Sequence, residues 1–352
     1  MAHFAGTAAA DTITGTAEAD DIFGFDGDDL LDGGGGDDRF FPGGGNDRLT
    51  GGDGFDSVLM GEQTYLASSF TVDGQGNLVM SGPDGTDTMT GIEMVSFLDG
   101  RLLLPAADGP VGQVARLYLL ALGHAPDAQG LDAWSARLAA GAPLADLAAA
   151  VIASPEFALR HGVAEDDAGF IDLLYLGLLG RAAEAGGAAY WQEQLEAGAS
   201  RAEITAAFAE TAEAHGLTAQ ALALGLWRTD PQAAMAVRLF DTLFGHPPGA
   251  QALALILAAT GEGREDNGWL AEALLRSPDY LAGGVTYESD DIYVVSLYET
   301  ALDRAPDAGG LAFWVAALAG GMSRAEVALL ISESAEHVAQ MAPWTEGGVY
   351  VG

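Results

Sequence analysis

Six aspartates stand nine residues apart near the start of the chain: Asp11, Asp20, Asp29, Asp38, Asp47 and Asp56. Two places after each comes an apolar residue: Ile13, Ile22, Leu31, Phe40, Leu49 and Val58. Two places before the last four comes a glycine: Gly27, Gly36, Gly45 and Gly54; Ala9 and Glu18 hold that place in the first two units. Glycine permits turn dihedrals that a β-carbon forbids and leaves carbonyl oxygens bare. Carboxylates beside such turns form an all-oxygen ligand set, the kind a hard cation such as calcium takes. Stacked without an ion these carboxylates repel one another, so ion binding is expected to be part of the folding free energy.

The spacing dictates the elements that hold these ligands. Residues Gly6 to Leu59 divide into six nonamers beginning at Gly6, Gly15, Gly24, Gly33, Pro42 and Gly51. Their template, GGxGxDxUx with U apolar, is that of a calcium-binding parallel β-helix. One nonamer supplies a turn and a short strand whose apolar residue points inward, and two complete a coil. Residues eighteen apart then stack, placing Asp11 on Asp29, Asp20 on Asp38, Asp29 on Asp47 and Asp38 on Asp56. A flexible linker has no reason to keep Asp and apolar residues in phase. A helix-loop-helix calcium site needs flanking helices that this glycine density forbids.

These units resemble the RTX repeats of proteins exported by bacterial type I secretion. The resemblance implies a parallel β-roll, calcium as cofactor, folding after export, and a C-terminal uncleaved secretion signal. The N-terminus, Met1-Ala2-His3-Phe4-Ala5-Gly6, has no basic or apolar leader segment, so a cleaved signal peptide is not expected. Residues 60 to 104 alternate short apolar runs with turns such as Asp73-Gly74 and Asp99-Gly100, and read as strands that cap the roll. Within them Asp84 and Asp87 are candidates for an extra calcium.

Beyond Pro105-Ala106-Ala107-Asp108-Gly109-Pro110 the composition changes to Ala, Leu and Glu. Four related units of about 45 residues follow. Tyr118 and Trp134, Tyr175 and Trp191, and Tyr298 and Trp314 recur at one spacing; the third unit keeps Phe240 but has Ile256 in the Trp place. These aromatic residues read as the structural core of each helical unit. Ser200-Arg201-Ala202-Glu203 and Ser323-Arg324-Ala325-Glu326 fit a capping box, and Ser154-Pro155 fits an N-cap followed by a first-turn proline. Asp127 and Asp307, three residues before Gly130 and Gly310, read as helix starts rather than ion sites. Arg181 and Arg304 read as helix-end partners of nearby acids.

These units resemble DUF4214, a repeat domain of bacterial secreted and surface proteins. A looser similarity is to the lipopolysaccharide-anchoring region of calcium-dependent S-layer proteins. The expected fold class is therefore multidomain β + α: an N-terminal parallel β-roll with capping strands, then an all-α array of about four helical repeats. Expected boundaries are 1–104 for the roll and its caps, 105–113 for a linker and 114–340 for the array. Its units are about 114–160, 170–216, 235–282 and 293–340. The tail 341–352, with an acidic residue before a short apolar run, resembles an export signal in character.

Composition limits the function. There are 51 Asp plus Glu against 14 basic residues, all Arg, for a net charge of -37. Residues 1 to 110 hold 17 Asp and 3 Glu against 3 Arg. A basic nucleic-acid groove is not expected in so acidic a chain. Cysteine is absent, which excludes disulfides and thiolate chemistry. No run of apolar residues is long enough to span a membrane. HExxH, GxSxG, Walker A and dinucleotide motifs are all missing. The six histidines, His3, His124, His161, His215, His246 and His337, are scattered. The expectation is a secreted or cell-surface calcium-binding protein of structural or adhesive role. Expected partners are the type I secretion machinery and a lipopolysaccharide, exopolysaccharide or surface protein. The alternatives are a glycan-processing enzyme with its site in the helical region and an S-layer-like anchored protein.

Overall fold

A computed structural model of the chain describes residues 1–260, 267–282 and 289–345. Strands β1 (Ala2–Ala5), β2 (Thr12–Thr14), β3 (Asp20–Phe23), β4 (Leu30–Gly35), β5 (Arg39–Phe41), β6 (Arg48–Asp53) and β7 (Ser57–Leu59) alternate between two parallel sheets. Odd strands run β1-β3-β5-β7 and even strands β2-β4-β6. Ile13 pairs with Leu31 and Leu31 with Leu49 in one sheet; Ile22 pairs with Phe40 and Phe40 with Val58 in the other. This is the eighteen-residue stacking the nonamers demand. Because strand side chains alternate faces, the eighth-place residues all turn inward, and Ile22, Leu31, Phe40, Leu49 and Val58 are buried.

The roll continues past the last nonamer. After β8 (Ser69–Val72) and β9 (Leu78–Gly82), strand β10 (Gly85–Thr90) pairs in parallel with β6, and β11 (Met94–Phe97) pairs with β7. Met89 stands opposite Leu49 and Val95 opposite Val58. Part of the stretch expected only to cap the roll is thus a further coil of it. β12 (Gly100–Leu103) follows, and β13 (Leu226–Thr229), lying between helices in sequence, joins β12 at the sheet edge. Asp230 donates its backbone N–H to the Asp99 carbonyl at 2.8 Å. Trp227 stacks on Tyr65 with ring centroids 4.0 Å apart. The edge is therefore covered by a strand that the sequence did not mark.

The chain divides into two compact units. One comprises Met1–Phe70, Met80–Leu102 and Trp227–Gly352; the other comprises Thr71–Val79 and Leu103–Leu226. The helices of the second are α1 (Pro110–Ala121), α2 (Ala128–Ala139), α3 (Leu144–Ile152), α4 (Pro155–His161), α5 (Asp167–Leu178), α6 (Ala185–Glu196), α7 (Arg201–Ala209) and α8 (Ala212–Ala223). Those of the first are α9 (Pro231–Phe244), α10 (Ala250–Thr260), α11 (Gly268–Leu275), α12 (Pro278–Ala282), α13 (Asp290–Leu302), α14 (Ala308–Ala319), α15 (Arg324–Ser332) and α16 (Ala335–Thr345). Each set of eight encloses one apolar core, so the four sequence repeats pack two by two.

Local signals place the helix ends. Ser200 and Ser323 form complete capping boxes with Glu203 and Glu326. Asp127 and Asp307 cap α2 and α14 by accepting from the Gly130 and Gly310 N–H. Tyr118, Trp134 and Trp191 pack half-buried against one core, whereas Tyr175 is buried in it. Phe240, Tyr298 and Trp314 pack against the other, with Trp314 Nε1 donating to the Tyr298 hydroxyl at 3.1 Å.

The same ion pairs recur in both bodies. Arg181 grips Glu213 and Arg304 grips Glu336 through two hydrogen bonds each. Arg201 meets Asp167, and Arg324 meets Asp290. Arg116 and Arg238 reach Glu210 and Glu333 near the end of their own body. Arg116 is 0% exposed, and its guanidinium also donates to the Ala107 carbonyl at 2.7 Å. Arg116→Ala removes a buried charge partner and leaves a cavity. It is expected to cost about 3 kcal/mol, read as a lower urea midpoint for unfolding. Arg116→Met, which keeps most of the volume, is expected to cost less.

Candidate metal centre

The repeated aspartates build two ladders along the roll. Asp29 Oδ1 accepts the Asp11 N–H at 2.8 Å, and Asp47 Oδ1 accepts the Asp29 N–H at 2.9 Å. On the other side Asp38 Oδ1 accepts from Asp20 at 2.8 Å and Asp56 Oδ1 from Asp38 at 2.9 Å. Each Oδ1 therefore ties its coil to the preceding one. The four pairs expected from the sequence are the four the structure brings together.

The second carboxylate oxygen separates the first two units from the rest. Thr7 and Thr16, at the second place of their nonamers, donate both N–H and hydroxyl to Oδ2 of Asp11 and Asp20. Later units have Phe25, Gly34, Gly43 and Gly52 there, all with positive φ. No hydroxyl is available, and Oδ2 of Asp29, Asp38, Asp47 and Asp56 is buried with no hydrogen-bond partner. These four residues are at most 1% exposed. A buried carboxylate oxygen without a partner is costly, so four in one array call for a cation.

The space beside Oδ2 of Asp29, Asp38 and Asp56 is closed to side chains, whereas Pro42 holds the corresponding place in the Asp47 unit. A β-carbon on Gly24 would collide with Asp29 Oδ2 and the Pro42 carbonyl. One on Gly33 would meet Asp38 Oδ2 and the Gly51 carbonyl, and one on Gly51 would meet Asp56 Oδ2 and the Gly91 carbonyl. The fourth-place glycines Gly27, Gly36, Gly45 and Gly54 all have positive φ, and a β-carbon on any of them would strike the preceding turn. At Asp29, Asp38 and Asp56, carboxylate and carbonyl oxygens thus converge around a cradle that glycine leaves open. Among the described residues no three His, Cys, Asp or Glu side chains cluster as a metal-ligand group. The donor set is instead paired carboxylates plus main-chain oxygens, which fits calcium.

Electrostatics follow the same division. Burial pushes Asp20 upward, but hydrogen bonds from Ala2 and Thr16 outweigh it and hold the carboxyl below its ordinary value. Asp38, without such donors to Oδ2, is raised by burial and by the charges of Asp56, Asp20 and Asp37. Burial pushes Asp47 up to about 6, with Asp29 and Asp28 adding to it.

Two ligand candidates lie beyond the nonamers. Asp87 Oδ1 accepts the Asp47 N–H at 3.0 Å, and Glu93 Oε2 accepts the Asp56 N–H at 2.8 Å. They take the next rungs of the two ladders. Burial, then the charges of Asp47 and Asp84, push Asp87 up to about 7. Asp87 carries a legible signal, because Gly85, Asp87 and Met89 keep the spacing of Gly45, Asp47 and Leu49. Glu93 carries none, since its half-coil is shorter than a nonamer and ends the ladder with a longer acid.

Two protein-family models match regions of the chain. The RTX calcium-binding nonapeptide repeat matches residues 5–40 and 41–58. The domain of unknown function DUF4214 matches residues 148–218 and 271–341. The chain thus carries an RTX calcium-binding repeat region and a DUF4214 region, with calcium as the cofactor of the repeats. No curated protein matches it. Among solved structures it is similar to the extracellular lipase LipA from Serratia marcescens, at 24% identity and a TM-score of 0.25 over 28% of this chain and 17% of the lipase. It is also similar to the AlgE6R3 subunit of the Azotobacter vinelandii mannuronan C5-epimerase. There identity is 20% and the TM-score 0.18, over 24% of this chain and 73% of that subunit. The chain therefore spans under a fifth of the lipase. No helix among the described residues is long and apolar enough to cross a membrane.

Proposed function

We propose that this is a secreted calcium-binding structural or adhesion protein whose roll folds on calcium and whose helical bodies hold a surface glycan or protein. The observation that carries the metal part is the array of four buried, unpartnered oxygens on Asp29, Asp38, Asp47 and Asp56. The ligands assigned are those aspartates with Asp11 and Asp20 as ladder partners, and the turns at Gly27, Gly36, Gly45 and Gly54. Calcium supplies the positive charge that lets these carboxylates stack. RTX repeats occur in exported proteins, which supports a secreted location and the type I machinery as the route. Residues 341–345 of the proposed export tail lie in α16; residues 346–352 lie outside the described residues.

The partner half of the reading is tested by cosedimentation of the full chain with purified lipopolysaccharide, exopolysaccharide or cell envelopes, with and without calcium. Calcium-dependent retention on one of them is expected. A chain that takes up calcium in calorimetry but stays in every supernatant removes the surface-anchoring role and leaves the metal assignment standing.

A further inference from the structure

On the outer face of the roll a cleft of about 700 Å³ opens beside the turns of β3 and β5. One wall is a row of rings: Phe23 stacks on Phe41 with centroids 4.4 Å apart, and Phe25 stands 6.4 Å from Phe23. The rim carries Asp26, Glu62 and Asp84, and the lining contains no basic side chain. Its volume suits a small ligand or a side-chain anchor.

Phe25 is the anomaly in this wall. It occupies the second place of its nonamer with φ 74°, where Gly34, Gly43 and Gly52 sit with φ between 90° and 110°. A left-handed backbone is unfavourable for a residue with a β-carbon and natural for glycine. Phe25 is also 52% exposed, so burial does not repay the strain. A strained aromatic kept at a cleft wall points to use rather than packing.

The molecule itself shows which group fits an aromatic ring beside a carboxylate. Arg137 lies over Trp134 and pairs with Asp146; Arg201 lies over Phe170 and pairs with Asp167. Arg181 lies over Tyr175 beside Glu213, and Arg324 over Tyr293 beside Asp290. Each pairs the quadrupole of a ring face with a carboxylate; for Arg201, Arg181 and Arg324 the pair is a charge-assisted hydrogen bond, and for Arg137 it is an ion pair at 3.7 Å. The Phe25 cleft offers the same ring and carboxylate chemistry with no arginine in its lining. We infer that this cleft is a docking site for an arginine side chain of a partner polypeptide, its guanidinium stacked on the Phe25 ring and held by Asp26, Glu62 or Asp84.

The test uses the full chain in saturating calcium and a short blocked peptide, acetyl-Arg-Gly-Arg-amide, followed by NMR or calorimetry. Its citrulline counterpart has nearly the same shape without the charge. One peptide per chain is expected, with the citrulline peptide and Phe25→Gly each about tenfold weaker. Phe25→Gly exchanges backbone strain for chain entropy and is expected to melt within a few degrees of the parent. If it does not fold, Phe25→Asn, which tolerates the left-handed region, takes its place. Glu62→Gln is expected to weaken binding, and the remote Glu165→Gln is not. Undiminished binding to a folded Phe25 variant overturns the site. So does equal weakening by Glu165→Gln, which marks diffuse attraction to an acidic chain. Calcium uptake is read separately, so loss of peptide binding leaves the metal assignment untouched.

Discussion

At pH 8, chelation of calcium is expected to lower the melting temperature of the roll, residues 1–103, and to weaken its strand signal in far-UV circular dichroism, while most of the helical signal remains. The reason lies in the four orphaned oxygens of Asp29, Asp38, Asp47 and Asp56. Each ion bound at a concentration about a thousandfold above its dissociation constant adds about 4 kcal/mol to the folded state. Two or three ions therefore supply as much as the whole net stability of an ordinary domain. The apolar interior between the sheets is one eighth-place residue deep per strand and is too thin to compensate. The helical cores rest on apolar packing and on pairs such as Arg238 with Glu333, none of which involves the ladders. Two melting transitions are expected, with that of the unit formed by α1–α8 unmoved by calcium. Magnesium, which demands a tight octahedral shell and keeps its waters, is expected to substitute poorly. Asp38→Asn is expected to weaken the calcium response strongly. Asp11→Asn is expected to change it little, because Thr7 already satisfies the Asp11 oxygen. An unchanged spectrum and melting profile in chelator would remove calcium from the folding of the roll.

The contrast between Asp11 and Asp38 also shows how far the sequence could be read. Period nine, with Asp and an apolar residue in phase, fixes the coil and the stacking partners because neighbouring coils repeat at constant separation. It does not announce that Thr7 and Thr16 satisfy their own aspartates, since that depends on where a hydroxyl falls inside the turn. The further coil at β10 and β11 keeps the strand register but breaks the period, through the insertion carrying β8 and β9 and the shortened half-coil at Glu93. β13 is four residues between helices with no alternation of its own, and it becomes a strand because β12 offers an edge. Helix caps at Ser200, Ser323, Asp127 and Asp307 are legible because they are settled within three residues. The pairing of repeats into two cores is not, because contacts such as Arg116 to Glu210 join residues 94 apart.

In the metal-depleted chain the roll is expected to be more stable at pH 5 than at pH 8. Burial raises Asp47 from 3.8 to about 6 and Asp87 from 3.8 to about 7, and it raises Asp38 and Asp56 in the same direction. A folded state with raised carboxyl values holds protons that the unfolded chain has released. Its stability is then fully present below about pH 4 and is lost as pH rises through 6 and 7. For Asp47 and Asp87 together the swing is on the order of 5 kcal/mol. It is measured as the urea midpoint of the roll at each pH, in buffer stripped of divalent ions. At pH 5 the chain remains above its isoelectric point of about 4.1, so solubility does not confound the comparison. Relief of general repulsion in a molecule of charge -37 has the same sign. The variant Asp47→Asn with Asp87→Asn separates the two effects: it is expected to flatten most of the slope and to stabilise the metal-free roll at pH 8. Calcium reverses the sign, because the ion takes the ionised carboxylates and displaces their protons. Its affinity is therefore expected to climb with pH through the same window. A metal-free roll whose midpoint is flat from pH 5 to 8 would show that these carboxylates reach solvent. An acid-stabilised roll that also binds calcium more tightly as pH rises requires one set of buried oxygens to serve both states.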